Sequence, residues 1–326
     1  MKGLTDIEGI RVGHVSDFEA VTGCTAILCG PEGAVAGVDV RGSAVGEREV
    51  ETLRPGHLIE RIHAVVLAGG SAFGLEAAAG VMRYLEEQGI GFDTGVARVP
   101  IVPAAIIFDL GIGDARCRPG ANMGYEAAKG ASNAAVEEGS VGAGTGATVG
   151  KLFGVKPSTK GGLGSATVGL GNGVQVSALV VVNAFGDVRD PATGKILAGA
   201  RASESSAEFV DTAAQMKGGV VRKGFAAPAV PTSTTLAVVV TDAGFDRLAV
   251  TRIAAMAQNG LARAIAPVHT SFDGDIVFAL SRGEKTADVN AVGTAAAEVV
   301  AAAIVRAVEE AHSLGGVPAR RDLKRR

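Results

Sequence analysis

Two strongly apolar runs decide most of what this chain can become. VQVSALVVV (residues 174–182) and LAVVVT (residues 236–241) are rich in β-branched residues and short, which reads as buried strand. Residues 34–40, 64–68 and 275–281 read the same way. Ala/Leu/Glu-rich segments predict helices over 72–88, 121–139, 246–264 and 289–313. The last is small and apolar on most faces, so it is expected to be packed on both sides. Strands alternate with helices in places and also come in runs. The pattern predicts layered α and β, with helices covering sheets, and not a regular βαβ ladder. Residues 186–195 (GDVRDPATGK) carry a hairpin signal, and 199–230 read as a long, partly mobile connection leading to Ser233 and Thr234.

Composition narrows the function classes. Glycine is 47 of 326 residues, about twice its usual share of ~7%, which implies many tight turns and close backbone approaches. Hydrophobic residues make up 47%, so either the interior is large or much surface is buried in an oligomer. With no Trp and 4% aromatics, stacking platforms for bases are not expected. A net charge of −3 favours neither nucleic acid nor an anionic membrane as partner. The basic tail over 318–326 reads as a solvated, frayed end. Three cysteines without a CxxC pair read as reduced thiols in a cytoplasm. The N-terminal stretch has no signal-peptide core, and the longest apolar runs are interrupted by charge or glycine and fall short of a membrane span.

Several motifs fail as chemistry. GSVGAGTGATVGK (residues 139–151) has three residues between Gly146 and Gly150 where a phosphate loop needs four, and Leu152 follows Lys151. GAGTGA within it fits only a loose dinucleotide pattern and follows a helix where a strand should stand. These glycines are expected to let backbone approach a small substrate, with Lys151 as the one charged group. His14, His57, His63, His269 and His312 make no HxxxH or HEXXH pair, and the DGD at 273–275 lacks calcium-loop spacing, so neither metal nor cofactor is expected. GGSAFG (residues 69–74) is not a nucleophile elbow; Ser71 there reads as a strand-to-helix turn near an N-cap.

The hydroxyl cluster Thr232, Ser233, Thr234, Thr235 at the mouth of an apolar strand remains. Its plain reading is strand-edge decoration; its sharp reading is a nucleophile. A Thr hydroxyl needs a base beside it, and an N-terminal Thr carries one in its own α-amine, whose reference pKa is near ~7.7–8.0. An internal Thr reaches that state when the chain is cut just before it. Taken singly, Asp273 and Asp275 read as an acidic turn, Asn183 as a strand-end turn residue and Lys151 as a solvated loop lysine.

The chain resembles the DmpA/BapA aminopeptidases and the nylon-oligomer hydrolases, self-cleaving N-terminal-nucleophile enzymes. The resemblance runs through TDIEGIRVGH (5–14), GVDVRGSA (37–44), LAGGSAFGLEAAAGVM (67–82), VGAGTGATVGK (141–151), GGLGSA (161–166), VVVNAFGDV (180–188), STTLAVVVTDA (233–243) and HTSFDGD (269–275). It implies one hydrolase domain over 1–326 with a four-layer αββα sandwich. It also implies self-cleavage between Ser233 and Thr234 into fragments 1–233 and 234–326. Thr234 would be the nucleophile, Asn183 the amide donor to the oxyanion, and Lys151 a pocket lysine of the nylon-hydrolase branch. Asp273 and Asp275 would contact the nucleophile, an Asp being the natural first proton acceptor. Members assemble as tetramers or larger and act on small peptides or amides. Two positions depart from the pattern: Ser233 stands where Asn or Gly is frequent, and Phe108 where some members carry Tyr. The alternatives are a self-cleaving N-acetyltransferase of similar fold and an uncleaved, non-enzymatic relative.

Overall fold

In the structure, a computed structural model that describes residues 2–220 and 233–323, the apolar runs become the middle strands of two stacked sheets. The first sheet has the order β1 (Arg11–Asp17), β2 (Thr22–Leu28), β6 (Ala64–Ala68), β7 (Ala104–Ile106), β4 (Glu47–Arg48). The second has the order β8 (Gly162–Gly169), β9 (Gln175–Asn183), β10 (Thr234–Ala243), β11 (Gly274–Lys285), β3 (Ala34–Gly42), β5 (Arg61–Ile62). Pairing is antiparallel except between β6 and β7 and between β10 and β11. The parallel pair β10–β11 is joined through the helix α4 (Arg247–Ala264), as a parallel crossover requires.

Strand alternation builds three apolar layers. Leu236, Val238 and Val240 of β10 meet Ile276, Phe278 and Leu280 of β11, and face Ile27, Val65 and Leu67 of the first sheet. The residues between them, Ala237, Val239, Val277 and Ala279, face α4 and α5 (Val289–Glu310). On the far side, Ala26, Leu28, Val66 and Ala68 pack against α1 (Ala77–Glu87) and α2 (Ala121–Lys129). The result is the expected α/β class with helices outside and two sheets inside. Each buried Val, Leu or Ile contributes about 1.5–3 kcal/mol to this arrangement.

Helix limits follow local chemistry. Asp246 caps α4 by accepting from the Ala249 amide at 2.8 Å, and Asp288 caps α5 through the Asn290 and Ala291 amides. The helix expected over 121–139 stops at Lys129, because Ser132 turns to pair with Val12 of β1 through two backbone bonds of 2.9 and 3.1 Å. Residues 71–76 are a 3₁₀ turn leading into α1, not α-helix. At 22 residues α5 is long and apolar enough to span a bilayer, against expectation; its apolar surface packs on the second sheet and on α4. The tail is not frayed where it is described, since Arg320 and Arg321 pair with Glu309 and Glu310 at the end of α5. The connection after residue 199 is structured up to 220: Arg201 bridges to Phe209, and α3 (Thr212–Lys217) is capped by Asp211. The rest of that connection, 221–230, and Thr232 lie outside the described residues.

Candidate active site

Ser233, Thr234 and Thr235 of the hydroxyl cluster sit at the seam of the two central strands of the second sheet. Thr234 is the first residue of β10, two positions earlier than the apolar run begins, and it pairs across the sheet with Asn183, the last residue of β9. Alternation puts the Thr234 and Asn183 side chains on one face, the one that looks into the gap between sheets with Leu236 and Val181. Both residues are buried, Thr234 to 1% exposure.

Asn183 is held on all sides. Its Oδ1 accepts from the Lys151 ammonium at 2.7 Å and from the Thr148 amide at 3.0 Å. Its Nδ2 donates to the Phe108 carbonyl at 3.2 Å. Two donors on one side and a carbonyl on the other fix which way the amide points. Lys151 also donates to the Asn183 carbonyl at 2.7 Å and to Ser233 Oγ at 3.4 Å. It is therefore not the solvated loop lysine that its sequence context reads as: it is 1% exposed. Its placement depends on Gly150, at φ 74°, where an added Cβ would lie 1.9 Å from the Ala200 amide nitrogen. The Lys151 amide then donates to the Phe185 carbonyl at 3.0 Å.

The Ser233–Thr234 peptide is clamped from the other side by the HTSFDGD turn. Ser233 makes a parallel bridge to Asp273: its amide donates to the Phe272 carbonyl and its carbonyl accepts from the Gly274 amide, both at 2.9 Å. The same Ser233 carbonyl accepts from Thr234 Oγ1 at 2.7 Å. The carbonyl before Thr234 thus receives two donors, one of them the hydroxyl beside it.

The two carboxylates of the turn act on neighbours of Thr234. Asp275 Oδ1 accepts from the Thr235 amide at 2.7 Å, and Oδ2 from His269 Nδ1 at 2.8 Å. Asp273 Oδ1 accepts from the Phe185 amide at 3.0 Å, and Oδ2 from Thr270 Oγ1 at 2.5 Å and the Thr270 amide at 3.1 Å. With the chain intact, the Thr234 hydroxyl donates to the Ser233 carbonyl, and among the described residues neither carboxylate is its partner. Alternation explains this for Asp275, which shares the helix-facing side of β11 with Val277. Burial, and then the nearby Asp275, push the Asp273 carboxyl up to about 6.

All six sequence candidates, Lys151, Asn183, Ser233, Thr234, Asp273 and Asp275, thus fall within one hydrogen-bonded cluster. The sequence reading missed the Gly274 amide, the Phe108 carbonyl and His269, whose Nε2 is buried without a partner among the described residues. His269 sits at φ 53°, a left-handed conformation that no spacing rule announces. The two backbone groups carry no sequence signal at all.

The geometry has counterparts. The sequence model of Peptidase family S58 matches residues 2–321. An uncharacterized aminopeptidase of Mycobacterium leprae is 41% identical, over 98% of this chain and 93% of its own. A 6-aminohexanoate-oligomer endohydrolase of Kocuria sp. is 30% identical, over 93% of this chain and 85% of its own. Among solved structures, a Burkholderia sp. beta-aminopeptidase superposes with a TM-score of 0.71 at 22% identity, covering 100% of this chain and 95% of the other. The L-aminopeptidase D-Ala-esterase/amidase of Ochrobactrum anthropi, described as a variant of the Ntn-hydrolase fold, gives 0.70 at 21% identity, covering 98% and 89%. The last two likenesses establish the fold.

Proposed function

The chain belongs to peptidase family S58, and from that premise we propose that it is an amidohydrolase that makes its own nucleophile by cutting before Thr234. The carrying observation is the doubly donated Ser233 carbonyl, with the Thr234 hydroxyl lying against it.

In this reading Thr234 Oγ1 attacks the Ser233 carbonyl carbon. The developing oxyanion gains from the Gly274 amide, already bonded to that oxygen at 2.9 Å; the second donor in this reading is the amide of Asn183, which shares a sheet face with the Thr234 side chain. One such donor is worth ~2.7–4 kcal/mol in related chemistry. The hydroxyl proton passes to a buried carboxylate, and Asp273 has the proton affinity for it, being poised at about 6. The C–N bond breaks, the Thr234 nitrogen takes up a proton to become an amine, and an ester links Ser233 to the Thr234 oxygen. Water then hydrolyses the ester, leaving the Ser233 carboxylate and a free Thr234. The same oxygen next attacks the amide of a substrate, with the new α-amine as base and the same donors in place. Water releases the acyl group.

The substrate class we infer is a small peptide or amino-acid amide, in line with relatives named aminopeptidase and 6-aminohexanoate-oligomer endohydrolase. Lys151 sets the amide of Asn183 and adds positive charge beside Ser233. We also propose a cytoplasmic homo-oligomer, a tetramer or larger; Phe18, Leu58, Phe73, Val96 and Leu248 are exposed apolar surface available for such contacts.

Intact-protein mass spectrometry on purified, denatured protein tests the reading. Two fragments, the smaller beginning at Thr234, are expected, with neither cleavage nor amidase activity in Thr234→Ala. Full amidase activity in that variant would overturn the mechanism.

A further inference from the structure

Two buried charges take no part in the chemistry above. Asp109 is 4% exposed and Lys160 is fully buried. Asp109 Oδ1 accepts from the Gly70 amide and Oδ2 from Thr22 Oγ1, both at 2.7 Å. The Lys160 ammonium donates to the Thr145 carbonyl at 2.6 Å and to the Ala147 carbonyl at 2.8 Å. The two charges are not in contact, yet each feels the other through the core. Burial pushes the Asp109 carboxyl up, and Lys160 opposes the shift; burial pushes the Lys160 ammonium down to about 7, and Asp109 opposes that. Burying ions costs several kcal/mol each even after relaxation, so apolar residues would serve plain packing better.

What the charges grip is informative. Asp109 follows Phe108, whose carbonyl accepts from Asn183 Nδ2. Ala147 precedes Thr148, whose amide donates to Asn183 Oδ1. Both backbone partners of the Asn183 amide are therefore one residue away from a charge-anchored position. The two anchored segments also touch. A Cβ on Gly146 would lie 2.5 Å from Asp109 Cβ and Oδ2, and a Cβ on Gly69 2.1 Å from Oδ2. Gly146 of the GAGTGA stretch and Gly69 of GGSAFG are thus glycine so that backbone can close on the Asp109 carboxylate. For Gly146 the close approach is thus to Asp109 of the chain itself.

We infer that Asp109 and Lys160 are positioning residues for Asn183: they hold the Phe108 carbonyl and the Thr148 amide at the spacing that aims the Asn183 amide at the carbonyl under attack. This rests on the reading of Asn183 as oxyanion donor. Charge-assisted bonds are about twice as strong as neutral ones, so the buried pair resists a tilt of the amide where two neutral groups would yield.

The test uses full-length Asn183→Ala, Asp109→Ala, Asp109→Asn and the double variant Asp109→Ala/Asn183→Ala. Self-cleavage is followed over days by intact mass, and kcat and KM are measured on cleaved protein with leucine p-nitroanilide. Asp109→Ala is expected to slow self-cleavage and kcat at least about 10-fold with KM within about 2-fold. Asp109→Asn, which keeps an acceptor for the Gly70 amide but not the charge, recovers only part of the rate. In the Asn183→Ala background the added loss from Asp109→Ala falls below about 2-fold, because both changes disable one device. Wild-type rates in Asp109→Ala, a loss confined to KM, or an equal loss in the Asn183→Ala background would overturn the inference. If Asn183→Ala itself stays within about 3-fold of wild type, it is the oxyanion reading that falls. Should Asp109→Ala fail to fold, Asp109→Asn and Lys160→Met replace it, and wild-type kcat in both overturns the inference.

Discussion

Replacing Asn183 by Asp is the sharpest perturbation this site offers, because it changes one atom. The new carboxylate keeps the oxygen that accepts from Lys151 at 2.7 Å and from the Thr148 amide at 3.0 Å. Its second oxygen takes the place of Nδ2, 3.2 Å from the Phe108 carbonyl. Two acceptors then face each other and the amide donor is gone. An unmade buried bond of this kind costs about 1–3 kcal/mol of stability, partly offset by the new charge pairing with Lys151. The chain should therefore still fold. The rate tells more. Loss of one oxyanion donor raises the barrier by about 2.7–4 kcal/mol, which is roughly 10²–10³ in rate. Self-cleavage of freshly made chain, followed by intact mass at pH 7.5, is expected to slow by that factor in Asn183→Asp and by a similar factor in Asn183→Ala. A folded Asn183→Asp chain that cuts within about threefold of the wild-type rate would refute the reasoning, since nothing else in the substitution supplies a donor.

Thr234→Ser keeps the hydroxyl and is expected to retain fragments and activity on the gel and in the amidase assay, whereas Thr234→Ala shows neither. With Asp273 poised at about 6, self-cleavage should accelerate as pH rises toward 6 and level off above it, and Asp273→Asn should flatten that limb in a pH–rate profile. Stability runs the other way. A carboxyl raised above its ordinary 3.8 binds its proton more tightly folded than unfolded, so Asp273 lowers Tm as pH climbs from about 4 to 6, and Asp273→Asn removes that slope. Gly150→Ala places a Cβ 1.9 Å from the Ala200 nitrogen at a φ of 74°; a loss of at least about 2 kcal/mol in a denaturant melt is expected, with slower self-cleavage as Lys151 shifts.

The strand interiors were legible because burial on both faces leaves an unbroken apolar run: 64–68 and the middle of β9, β10 and β11 stand where the residues put them. Their ends were not. β10 begins at Thr234, where polar side chains hide the strand, and its start is set by Asn183 across the sheet and by the HTSFDGD turn. The strands β1, β2 and β8 carry Gly, His, Ser or Thr among their apolar residues and gave no clear run. The helix over 121–139 overshot because its small residues say nothing about Ser132 joining β1. For the site, residue types and motif order named the cluster, but not which oxygen meets which hydrogen. Asp275 is near Thr234 in space yet bonds Thr235 and His269, a consequence of strand parity. Asp109 and Lys160 were invisible, since their partners are three backbone groups and the Thr22 hydroxyl, brought together from three separate segments.

The strand order of the second sheet carries a consequence for the enzyme's life history. Reading across it, β8 and β9 precede residue 233 in the chain, β10 and β11 follow it, and β3 and β5 precede it again. A cut before Thr234 would leave the shorter polypeptide wedged as a two-strand insert between pieces of the longer one, with no ladder opened and no new edge offered to a neighbour. Folding of the newborn chain is a one-molecule event. Once the bond is gone, recovery from full denaturation becomes an encounter between two molecules and depends on their concentration. Self-processing would thus act as a one-way gate: a chain that refolds freely before it becomes an enzyme, and a two-piece assembly held together by its sheet afterwards.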